Sequence, residues 1–578
     1  MKVVIVGGAA GGASAAARLR RLNEECEITI FERTSYISYA NCGLPYYIGG
    51  VIKNKDNLTL QTPTSFYNRF KINVKIKHEV IEVDTINKRV KVIDLSSGNL
   101  FYEHYDKLIL SCGAKPKLPL FFEENDRIFT LRTVEDTYRI KTYIEQNKPR
   151  TATIIGGGFI GVEMAENLRM LGIDVSIVQS NKQLLKILDK DIVSFVHTKL
   201  IENKVKLYLG KRVEKINVSD SLTTILKDGC NIKSDIIICA VGVIPESKLA
   251  KDTGLELGLL DSVKVNTHMQ TSNPDIYAVG DMVEVENFIT KKNSLIPLAG
   301  PANKQGRIAA DNICGIPSEY NGSQASSIIK VFDLDVAVTG ITERECIENN
   351  INYEKVILTP SSHATYYPDA KVLTLKVIYD KDNLNILGAQ AIGYDGVDKR
   401  IDVLATAIRC GMKATLLKDL DLAYAPPYSS AKDPVNMAGF IIDNIENNIV
   451  KQFDYDELQT LKDKDNVILL DTRTEYEYKR GRATGFINIP LDELRDRLDE
   501  LDKTKTIYVM CQSGLRSYIA TRILTQNGYD SYNFVGGYRL YSSIENNEKL
   551  VKETYTCGMD VEYSYERKWV SKISNDNT

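Results

Sequence analysis

The segment Val3-Val-Ile-Val-Gly-Gly-Ala-Ala-Gly-Gly-Ala-Ser-Ala-Ala-Ala17 decides how the chain begins to fold. Its apolar start predicts a buried strand, its glycines a tight turn, and its alanines a helix. Gly7, Ala9 and Gly12 take the small positions of a G-x-G/A-x-x-G turn, which lets a pyrophosphate approach the helix N-terminus. Glu32 ends the next predicted strand, 20 residues after Gly12, where a carboxylate can accept ribose hydroxyls. The segment predicts a dinucleotide-binding βαβ unit.

The same pattern returns in Ala152-Thr-Ile-Ile-Gly-Gly-Gly-Phe-Ile-Gly-Val-Glu-Met-Ala165, where Gly156, Gly158 and Gly161 form the complete turn. The following strand ends at Gln179. An acid at this position repels the 2′-phosphate of NADPH, and a base accepts it. Gln179 does neither strongly, so the choice between NADH and NADPH stays open. The absence of a nearby base favours NADH. Two such folds predict two bound nucleotides.

Composition narrows the class of protein. The 578 residues are enough for roughly four domains of ordinary size. A hydrophobic content of 43% and a charged content of 26% are typical of a soluble globular protein. A net charge of −3 argues against a nucleic-acid partner, and no apolar run is long enough for a membrane span. The first residues predict a strand instead of a signal peptide, so we expect a cytoplasmic protein.

The ten cysteines are scattered without a Cys-x-x-Cys pair, and the five histidines are equally dispersed, so we expect neither a metal site nor a disulfide framework. Cys42 lies in Ser38-Tyr-Ala-Asn-Cys-Gly-Leu-Pro-Tyr-Tyr-Ile-Gly-Gly50, soon after the first turn. A dithiol reductase places a second cysteine a few residues further on, but residues 43–50 contain none. Cys42 must therefore find its redox partner in another domain, in a small thiol, or in its own oxidised sulfur.

The two turns and a third landmark, Gly280-Asp281 at the end of a predicted strand, resemble the two-dinucleotide-binding-domain flavoprotein disulfide reductases over about residues 1–445. This resemblance implies FAD on the first fold, with Asp281 near its ribityl-phosphate region, and NADH or NADPH on the second, with Glu163 near the nicotinamide. The implied cofactor-binding residues are Gly7, Gly8, Ala9, Ala10, Gly11, Gly12, Glu32, Arg33, Gly113, Gly156, Gly158, Gly161, Glu163, Gln179, Gly242, Gly280 and Asp281. Cys112 and Cys239 lie in apolar strands and are expected to fill the core.

Among these flavoproteins, the single-cysteine members are peroxidases and water-forming oxidases, or coenzyme A (CoA)-disulfide reductases. The peroxidases carry a histidine in the first turn, where this chain has Ala10. The segment around Cys42 also resembles the CoA-disulfide reductases, which form a mixed disulfide with CoA. Arginines can pair with the CoA phosphates. The implied substrate-binding residues are Ser14, Arg18, Arg21, Ser38, Asn41, Lys71, Asn303 and Lys432.

The departing thiolate needs an acid. Two-cysteine relatives use a C-terminal His–Glu pair, but this chain has no histidine after His363. In CoA-disulfide reductases, tyrosines from the C-terminal domain of the opposite subunit take that role. The matching residues are Tyr366 and Tyr424, with Tyr367 and Tyr428 as alternates. A homodimer is therefore implied.

Cys511-Gln-Ser-Gly-Leu-Arg-Ser517 follows a predicted strand and precedes a helix. Such a loop points backbone N–H groups inward, and with Arg516 it favours a thiolate at Cys511. Together with Asp471-Thr-Arg473 and Gly536-Gly537, it resembles single-domain rhodaneses, which carry sulfane sulfur. The usual Gly-His-Ile-Pro-Gly-Ala segment is here Gly481-Arg-Ala-Thr-Gly-Phe486.

The resemblances together imply an α/β chain: two Rossmann-like domains, an α+β dimerisation domain and a rhodanese domain. The expected boundaries are 1–112 and 246–324 for FAD, 113–245 for NAD(P)H, 325–445 for dimerisation, 446–453 for a linker, 454–550 for the rhodanese and 551–578 for a polar tail with Cys557.

As a whole, the chain is similar to CoA-disulfide reductases fused to a rhodanese, a class also described as NAD(P)H-dependent persulfide or polysulfide reductases. The implied activity is reduction of CoA disulfide, CoA persulfide or polysulfide through a Cys42–CoA mixed disulfide, with Cys511 relaying sulfur. Two alternatives stay open. One is an NADH oxidase or peroxidase that cycles a Cys42 sulfenic acid, against which Ala10 argues. The other is a sulfur-binding redox sensor or carrier, which would leave the nicotinamide site without use.

Overall fold

The computed structural model describes residues 1–461 and 464–553. They divide into a first unit of residues 1–182 and 204–325, and a second unit of residues 183–203 and the chain from 326 onward. Cys557 and the rest of the tail beyond residue 553 lie outside the described residues. Among the described helices, none combines the length and the apolar character that a membrane span requires.

The first unit is built on two parallel sheets of five strands each. Val3, Val4 and Ile5 are fully buried, as strands covered on both faces require. The first sheet has the order Ile276–Ala278, Lys107–Leu110, Lys2–Val6, Glu27–Glu32 and Asn73–Ile76. The second has the order Ile128–Phe129, Ile236–Cys239, Thr151–Ile155, Asp174–Gln179 and Lys206–Leu209. Because its edge strand comes from residues 276–278, the first sheet is assembled from two separate stretches of chain.

Helices and small antiparallel sheets complete the first unit. Its helices are Ala10–Leu22, Leu44–Ile48, Pro63–Phe70, Val134–Asn147, Phe159–Met170, Lys248–Asp252 and Ala299–Ile313. Two three-stranded sheets are formed by His78–Asp84, Arg89–Asp94 and Leu100–His104, and by Val213–Val218, Leu222–Leu226 and Asn231–Ser234. Strand pairs join Ile37–Tyr39 to Thr59–Gln61, Ala114–Pro116 to Val243–Pro245, and Val285–Glu286 to Asn293–Ser294.

The second unit contains one antiparallel and one parallel sheet. The antiparallel sheet has the order Ser327–Val331, Leu334–Gly340, Ile386–Gly393, Leu373–Asp380 and Tyr353–Leu358. The parallel sheet has the order Lys451–Phe453, Ser531–Phe534, Thr506–Met510, Val467–Asp471 and Ile487–Asn488. The helices are Lys190–Glu202, Glu343–Glu348, Val397–Arg409, Pro434–Glu446, Tyr455–Leu461, Glu475–Arg480, Leu515–Gln526 and Gly537–Glu553.

Three structural features lie across or beside the expected boundaries, which stay predictions. Lys451–Phe453, expected in the 446–453 linker, is an edge strand beside Ser531–Phe534, because Phe453 is buried against Phe534 with ring centroids 5.1 Å apart. Residues 183–203, inside the segment 113–245 expected to bind NAD(P)H, belong to the second unit. Helix Gly537–Glu553 continues past residue 550, into the stretch expected to be tail.

A buried lysine is surrounded by three acids in the second unit. Lys376 is fully buried, with Nζ 3.0 Å from Asp189 Oδ2, 2.8 Å from Asp191 Oδ2 and in contact with Glu343. These acids are close enough together to hold a metal ion, but the ammonium group occupies the centre of the cluster. Lys355 extends the network, because its Nζ lies 2.6 Å from Glu343 and 2.9 Å from Asp454. The carboxylates raise the pKa of Lys376 against the opposing effect of burial.

Replacing Lys376 with methionine is expected to destabilise the second unit by about 3–5 kcal/mol, because it leaves buried carboxylates without a counter-charge. Urea unfolding of the full chain would measure the change. Lys330→Met is the matched control, since Lys330 is 53% exposed and pairs with Asp335 at the surface. That control is expected to cost at most about 1 kcal/mol. Equal effects of the two substitutions would contradict this role of the cluster.

Candidate functional site

The first Gly-rich turn has no room for larger side chains. Gly7 has a φ of +99°, and a Cβ there would lie 2.2 Å from the Ser111 carbonyl oxygen. A Cβ on Gly12 would lie 2.0 Å from the Gly7 carbonyl oxygen, so the helix packs directly on the turn. The helix Ala10–Leu22 starts after Ala9 without a side-chain cap. Its first N–H groups can therefore face a phosphate.

A cavity of about 300 Å³ opens in front of this turn. Glu32 lies on its wall, where its two carboxylate oxygens accept hydrogen bonds from Gly8 N at 2.9 Å and Thr34 N at 2.8 Å. A carboxylate has room for further hydrogen bonds, so ribose hydroxyls can still be accepted. Other predicted residues on the wall are Gly7, Ala9, Arg33 and Gly113. The cavity fits the adenosine part of a dinucleotide.

One residue of the cavity wall belongs to a charged pair. Arg132 lies on the wall, and its Nη2 is 2.6 Å from Asp281 Oδ2. Asp281 follows Gly280, which has a φ of +84° and donates its N–H to Gln305 Oε1 at 2.7 Å. Cys112 packs on the core with one side and lines the cavity with the other, whereas Cys239 is buried. The sequence reasoning missed Arg132, and no local motif indicates it.

The second turn repeats this geometry. Gly156 has a φ of +112°, and a Cβ there would lie 2.2 Å from the Ala240 carbonyl oxygen. A Cβ on Gly161 would lie 2.1 Å from the Gly156 carbonyl oxygen, but one on Gly158 would have no neighbour within 4 Å. The open space before Gly158 is where a pyrophosphate would approach the helix Phe159–Met170. Gln179 ends the adjacent strand as predicted, and Gly242, with a φ of +109°, follows strand Ile236–Cys239 of the same sheet.

Cys42 is an exposed free thiol on the short turn Asn41–Gly43, immediately before helix Leu44–Ile48. That helix packs against Phe159–Met170, the helix that carries Glu163. Partial burial raises the pKa of the Cys42 thiol, Glu163 and Asp281 add to the increase, and Arg132 opposes it. Burial and the neighbouring Glu166 raise the pKa of Glu163 to about 7.

Replacing Glu163 with glutamine is expected to lower the pKa of Cys42. Glu163 is ionised above its pKa of about 7, and a thiol titrates above that pH, so the substitution removes a negative charge that opposes thiolate formation. The rate at which iodoacetamide alkylates Cys42 is measured as a function of pH in the dithiothreitol-treated protein. The midpoint of this pH profile should lie at lower pH in Glu163→Gln than in the wild type. Glu145→Gln is the control, because Glu145 is exposed and pairs with Lys141. An unchanged profile in Glu163→Gln would contradict the coupling.

Several of the predicted CoA-binding residues meet between two helices. On helix Ala10–Leu22, Ser14 Oγ lies 2.5 Å from Asn303 Oδ1, and Arg18 Nε lies 2.6 Å from Asp311 Oδ1. Arg21 is exposed, whereas Arg20 is buried and donates to backbone carbonyls. The other predicted contacts in the first unit are Ser38, Asn41 and Lys71, and Lys432 is exposed in the second unit.

The predicted tyrosines form a hydrogen-bonded pair in the second unit. The hydroxyls of Tyr366 and Tyr424 are 2.7 Å apart, and this contact raises the pKa of Tyr366. The two side chains are 74% and 47% exposed, so the described residues of the second unit leave a large part of each uncovered. The alternates Tyr367 and Tyr428 are also exposed and lie outside this hydrogen bond.

A buried arginine connects the loop that carries Tyr366 to the loop that carries Tyr424. Arg400 donates to the Ser362 carbonyl at 3.0 Å, to Ser429 Oγ at 3.1 Å and to Asp433 Oδ2 at 2.9 Å. Asp433 also caps the helix Pro434–Glu446 through the backbone of Val435. Sequence reasoning missed this support, because its members are far apart along the chain.

Cys511 lies fully buried at the base of the loop Cys511–Ser517, which we call the sulfur loop. Gly514 N donates to Cys511 Sγ at 3.1 Å, and Ser517 Oγ donates to it at 3.3 Å. Gly514 has a φ of +102°, a conformation that favours glycine and turns the N–H toward the sulfur. Donors placed in this way suit an anionic or persulfidated sulfur.

Arg516 is held by a two-point ion pair. Its Nη1 and Nη2 lie 2.7 Å from the two carboxylate oxygens of Glu477. Arg516 lowers the pKa of Glu477 to about 2. The sequence reasoning missed Glu477, although the spacing Thr474-x-x-Glu477 indicates a capping box at a helix start, which the structure contains.

The segment Gly481–Phe486 is held in place by Arg473. Arg473 is buried and paired with Asp471, and it donates to the Gly481 carbonyl at 2.8 Å. Its guanidinium also lies 3.8 Å from the centre of the Tyr538 ring. The departure from the usual rhodanese segment therefore leaves this loop anchored beside the sulfur loop.

Comparison with known proteins gives three matching family models. Residues 1–306 match the pyridine nucleotide-disulphide oxidoreductases, residues 326–434 match the dimerisation domain of that family, and residues 454–543 match the rhodanese-like domain. Coenzyme A disulfide reductase of Staphylococcus haemolyticus is 36% identical over 440 residues, which is 76% of this chain and 98% of that protein.

Two solved structures are similar along most of the chain. Reduced CoADR-RHD of Bacillus anthracis is 47% identical with a TM-score of 0.92, covering 94% of this chain and 98% of that one. A NAD-dependent persulfide reductase from A. fulgidus is 35% identical with a TM-score of 0.88, covering 94% of this chain and 100% of that one.

Proposed function

The chain belongs to the family of pyridine nucleotide-disulphide oxidoreductases that includes the coenzyme A disulfide reductases, and we propose that it reduces CoA disulfide, CoA persulfide or polysulfide at the expense of NADH or NADPH. The observation that carries this proposal is an exposed lone thiol, Cys42, in a chain with two complete dinucleotide turns and a separate sulfur loop at Cys511. The relatives named as a coenzyme A disulfide reductase and a persulfide reductase support the choice of acceptor.

The cofactor sites fit FAD and NAD(P)H. At the first Gly-rich turn, Gly7, Glu32 and the cavity in front of them would hold FAD. At the second Gly-rich turn, the open space before Gly158 would hold the pyrophosphate of NAD(P)H. When bound, FAD supplies the two-electron relay from the nicotinamide to a disulfide.

Cys42 is the residue that reacts with the disulfide, which is the electron acceptor. Its thiolate attacks one sulfur of CoA disulfide, the S–S bond breaks, and one CoA leaves as a thiolate while a Cys42–S–S–CoA bond forms. Two electrons and two protons then convert this mixed disulfide to the Cys42 thiol and a second CoA thiol. Ser14, Arg18 and Asn303 would hold the CoA, because they meet between two helices of the same unit as Cys42.

The hydroxyl pair Tyr366–Tyr424 is proposed as the source of the proton for the departing thiolate. Its exposure suits a surface that completes the site of another subunit, and residues 326–434 match a dimerisation domain. We therefore propose a homodimer in which Tyr366 of the partner subunit serves the thiol of Cys42. The reaction is placed in the cytoplasm, where reduced cysteines are the rule.

Tyr366→Phe and Tyr424→Phe are each expected to lower kcat with CoA disulfide by about a hundredfold, because each removes one member of the proton-donating pair. Steady-state NADH consumption measures the loss. Tyr428→Phe, on the same loop as Tyr424 but outside the hydrogen bond, serves as the comparison. If Tyr367→Phe or Tyr428→Phe produced the loss instead, the proton donor would be assigned to that tyrosine and not to the pair.

The proposal as a whole is tested by anaerobic kinetics with CoA disulfide, CoA persulfide and polysulfide, each with NADH and with NADPH. At least one sulfur acceptor should raise nicotinamide oxidation well above the rate seen with oxygen or hydrogen peroxide. Faster turnover with oxygen or peroxide would favour an oxidase or peroxidase. No acceleration by any acceptor would favour the sensor or carrier alternative.

A further inference from the structure

Helix Gly537–Glu553 starts in contact with the backbone of the sulfur loop. Tyr538 N donates to the Cys511 carbonyl at 2.7 Å, and Arg539 N donates to the Gln512 carbonyl at 3.2 Å. A Cβ on Gly537 would lie 2.6 Å from the backbone of Gln512, so helix and loop are in direct contact. Any ligand held by the first turn of this helix is therefore close to the sulfur loop.

The Arg539 side chain in this turn has a charge that no acid among residues 1–461 and 464–553 neutralises. Its Nε is buried without a hydrogen-bond partner, and no carboxylate in the described part of the chain pairs with its guanidinium. Burial lowers the pKa of Arg539. By contrast, Arg473 and Arg516 are each paired with a carboxylate. Arg539 is partly buried, and it is costly to remove the Nε of an unpaired guanidinium from water. An anionic ligand would offset that cost.

One aromatic ring lies beside this cation, and a tyrosine is close enough to interact with it electrostatically. The Arg539 guanidinium lies 5.6 Å from the ring centre of Phe195, on helix Lys190–Glu202. Tyr394, 37% exposed, interacts electrostatically with Arg539. One hydrogen bond, 2.7 Å between Ser194 Oγ and Ser543 Oγ, joins helix Lys190–Glu202 to helix Gly537–Glu553. Lys199 Nζ lies 5.0 Å from the centre of the Tyr394 ring, so the arrangement brings two cations and two aromatic side chains together.

We propose that Arg539, with Phe195 and Tyr394, binds the phosphorylated adenosine end of a CoA persulfide when that persulfide loads Cys511. A guanidinium pairs with phosphate, and aromatic faces accept a purine ring. This inference rests on the proposed function and adds a second CoA-recognition subsite, in the second unit, distinct from Ser14 and Arg18.

The loading step itself is balanced without a further reactant. The Cys511 thiolate attacks the outer sulfur of CoA–S–SH, the S–S bond to CoA breaks, and CoA leaves as a thiolate while Cys511–S–SH forms. Gly514 N and Ser517 Oγ, which contact the Cys511 sulfur, would hold the new persulfide. Arg539 acts on the carrier end of the donor and not on the reacting sulfurs.

The test compares sulfur donors with and without a phosphate. In FAD-loaded full-length protein without NAD(P)H, persulfide formation on the Cys511 peptide is followed by mass spectrometry with CoA persulfide, glutathione persulfide or inorganic polysulfide. Arg539→Met, which keeps the apolar stem, should slow loading from subsaturating CoA persulfide by about tenfold or more. Loading from the two phosphate-free donors should stay within about twofold, and Arg539→Lys should restore part of the rate.

Other results would overturn the inference. Equal slowing with all three donors would mean that Arg539 only supports the sulfur loop. Unchanged loading from CoA persulfide in Arg539→Met would mean that the phosphate is not recognised there. Failure of the wild-type protein to load Cys511 from any donor would instead contradict the sulfur-relay part of the proposed function, and the subsite with it.

Discussion

Replacing Cys42 with serine is expected to lower the rate of NADH-dependent CoA disulfide reduction by about a thousandfold or more, because a serine hydroxyl cannot form the mixed disulfide. Cys42 is an exposed thiol on the turn Asn41–Gly43, and Glu163 and Asp281 act on its pKa. Its replacement removes the nucleophile that attacks the disulfide. The measurement is steady-state kinetics of the FAD-loaded protein.

Cys410→Ser is the matched control, since Cys410 is also an exposed free thiol and lies in the other unit. It should keep the wild-type rate. A Cys42→Ser protein that still reduced CoA disulfide at a rate near that of the control would exclude Cys42 as the redox centre.

Replacing Cys511 with serine is the second large effect. Sulfur transfer from persulfide donors should fall by about a hundredfold or more, because a hydroxyl cannot take up sulfane sulfur in the sulfur loop. Reduction of CoA disulfide should stay within about twofold of the wild-type rate, since that reaction needs no sulfane sulfur. Parallel assays of CoA persulfide and CoA disulfide with NADH measure both.

The two substitutions together separate the sites. Cys42→Ser should still load sulfur onto Cys511, and Cys511→Ser should still reduce CoA disulfide. If Cys511→Ser lost both activities equally, the proposed relay between two independent sulfur centres would be wrong.

Local patterns predicted much of this molecule. The two Gly-rich turns fold as expected, because close backbone contacts, such as that of Gly12 with the Gly7 carbonyl, leave room only for glycine. Family membership, the reductase fold and the rhodanese-like domain are confirmed by the comparisons. The individual site residues stay predictions, to be tested by the substitutions above.

The rest depends on contacts between distant parts of the chain. Lys376 finds its acids in residues 189, 191 and 343, a set that no spacing reveals. Strand Lys451–Phe453 is too short and polar to be recognised before its partner strand is known. The Nε of Arg539 is buried without a hydrogen-bond partner only in the folded chain, and nothing in the neighbouring sequence indicates this. These features follow from tertiary packing, which overrides local preference.

The most direct test of the central claim is the mass of the Cys42 peptide from protein oxidised with CoA disulfide and digested without reductant. The account predicts CoA bound to Cys42 through a disulfide, released as CoA thiol by one equivalent of NADH per bound CoA, and absent from Cys42→Ser. A Cys42 peptide that carried only a sulfenic acid, or that stayed a free thiol while NADH was consumed, would contradict it.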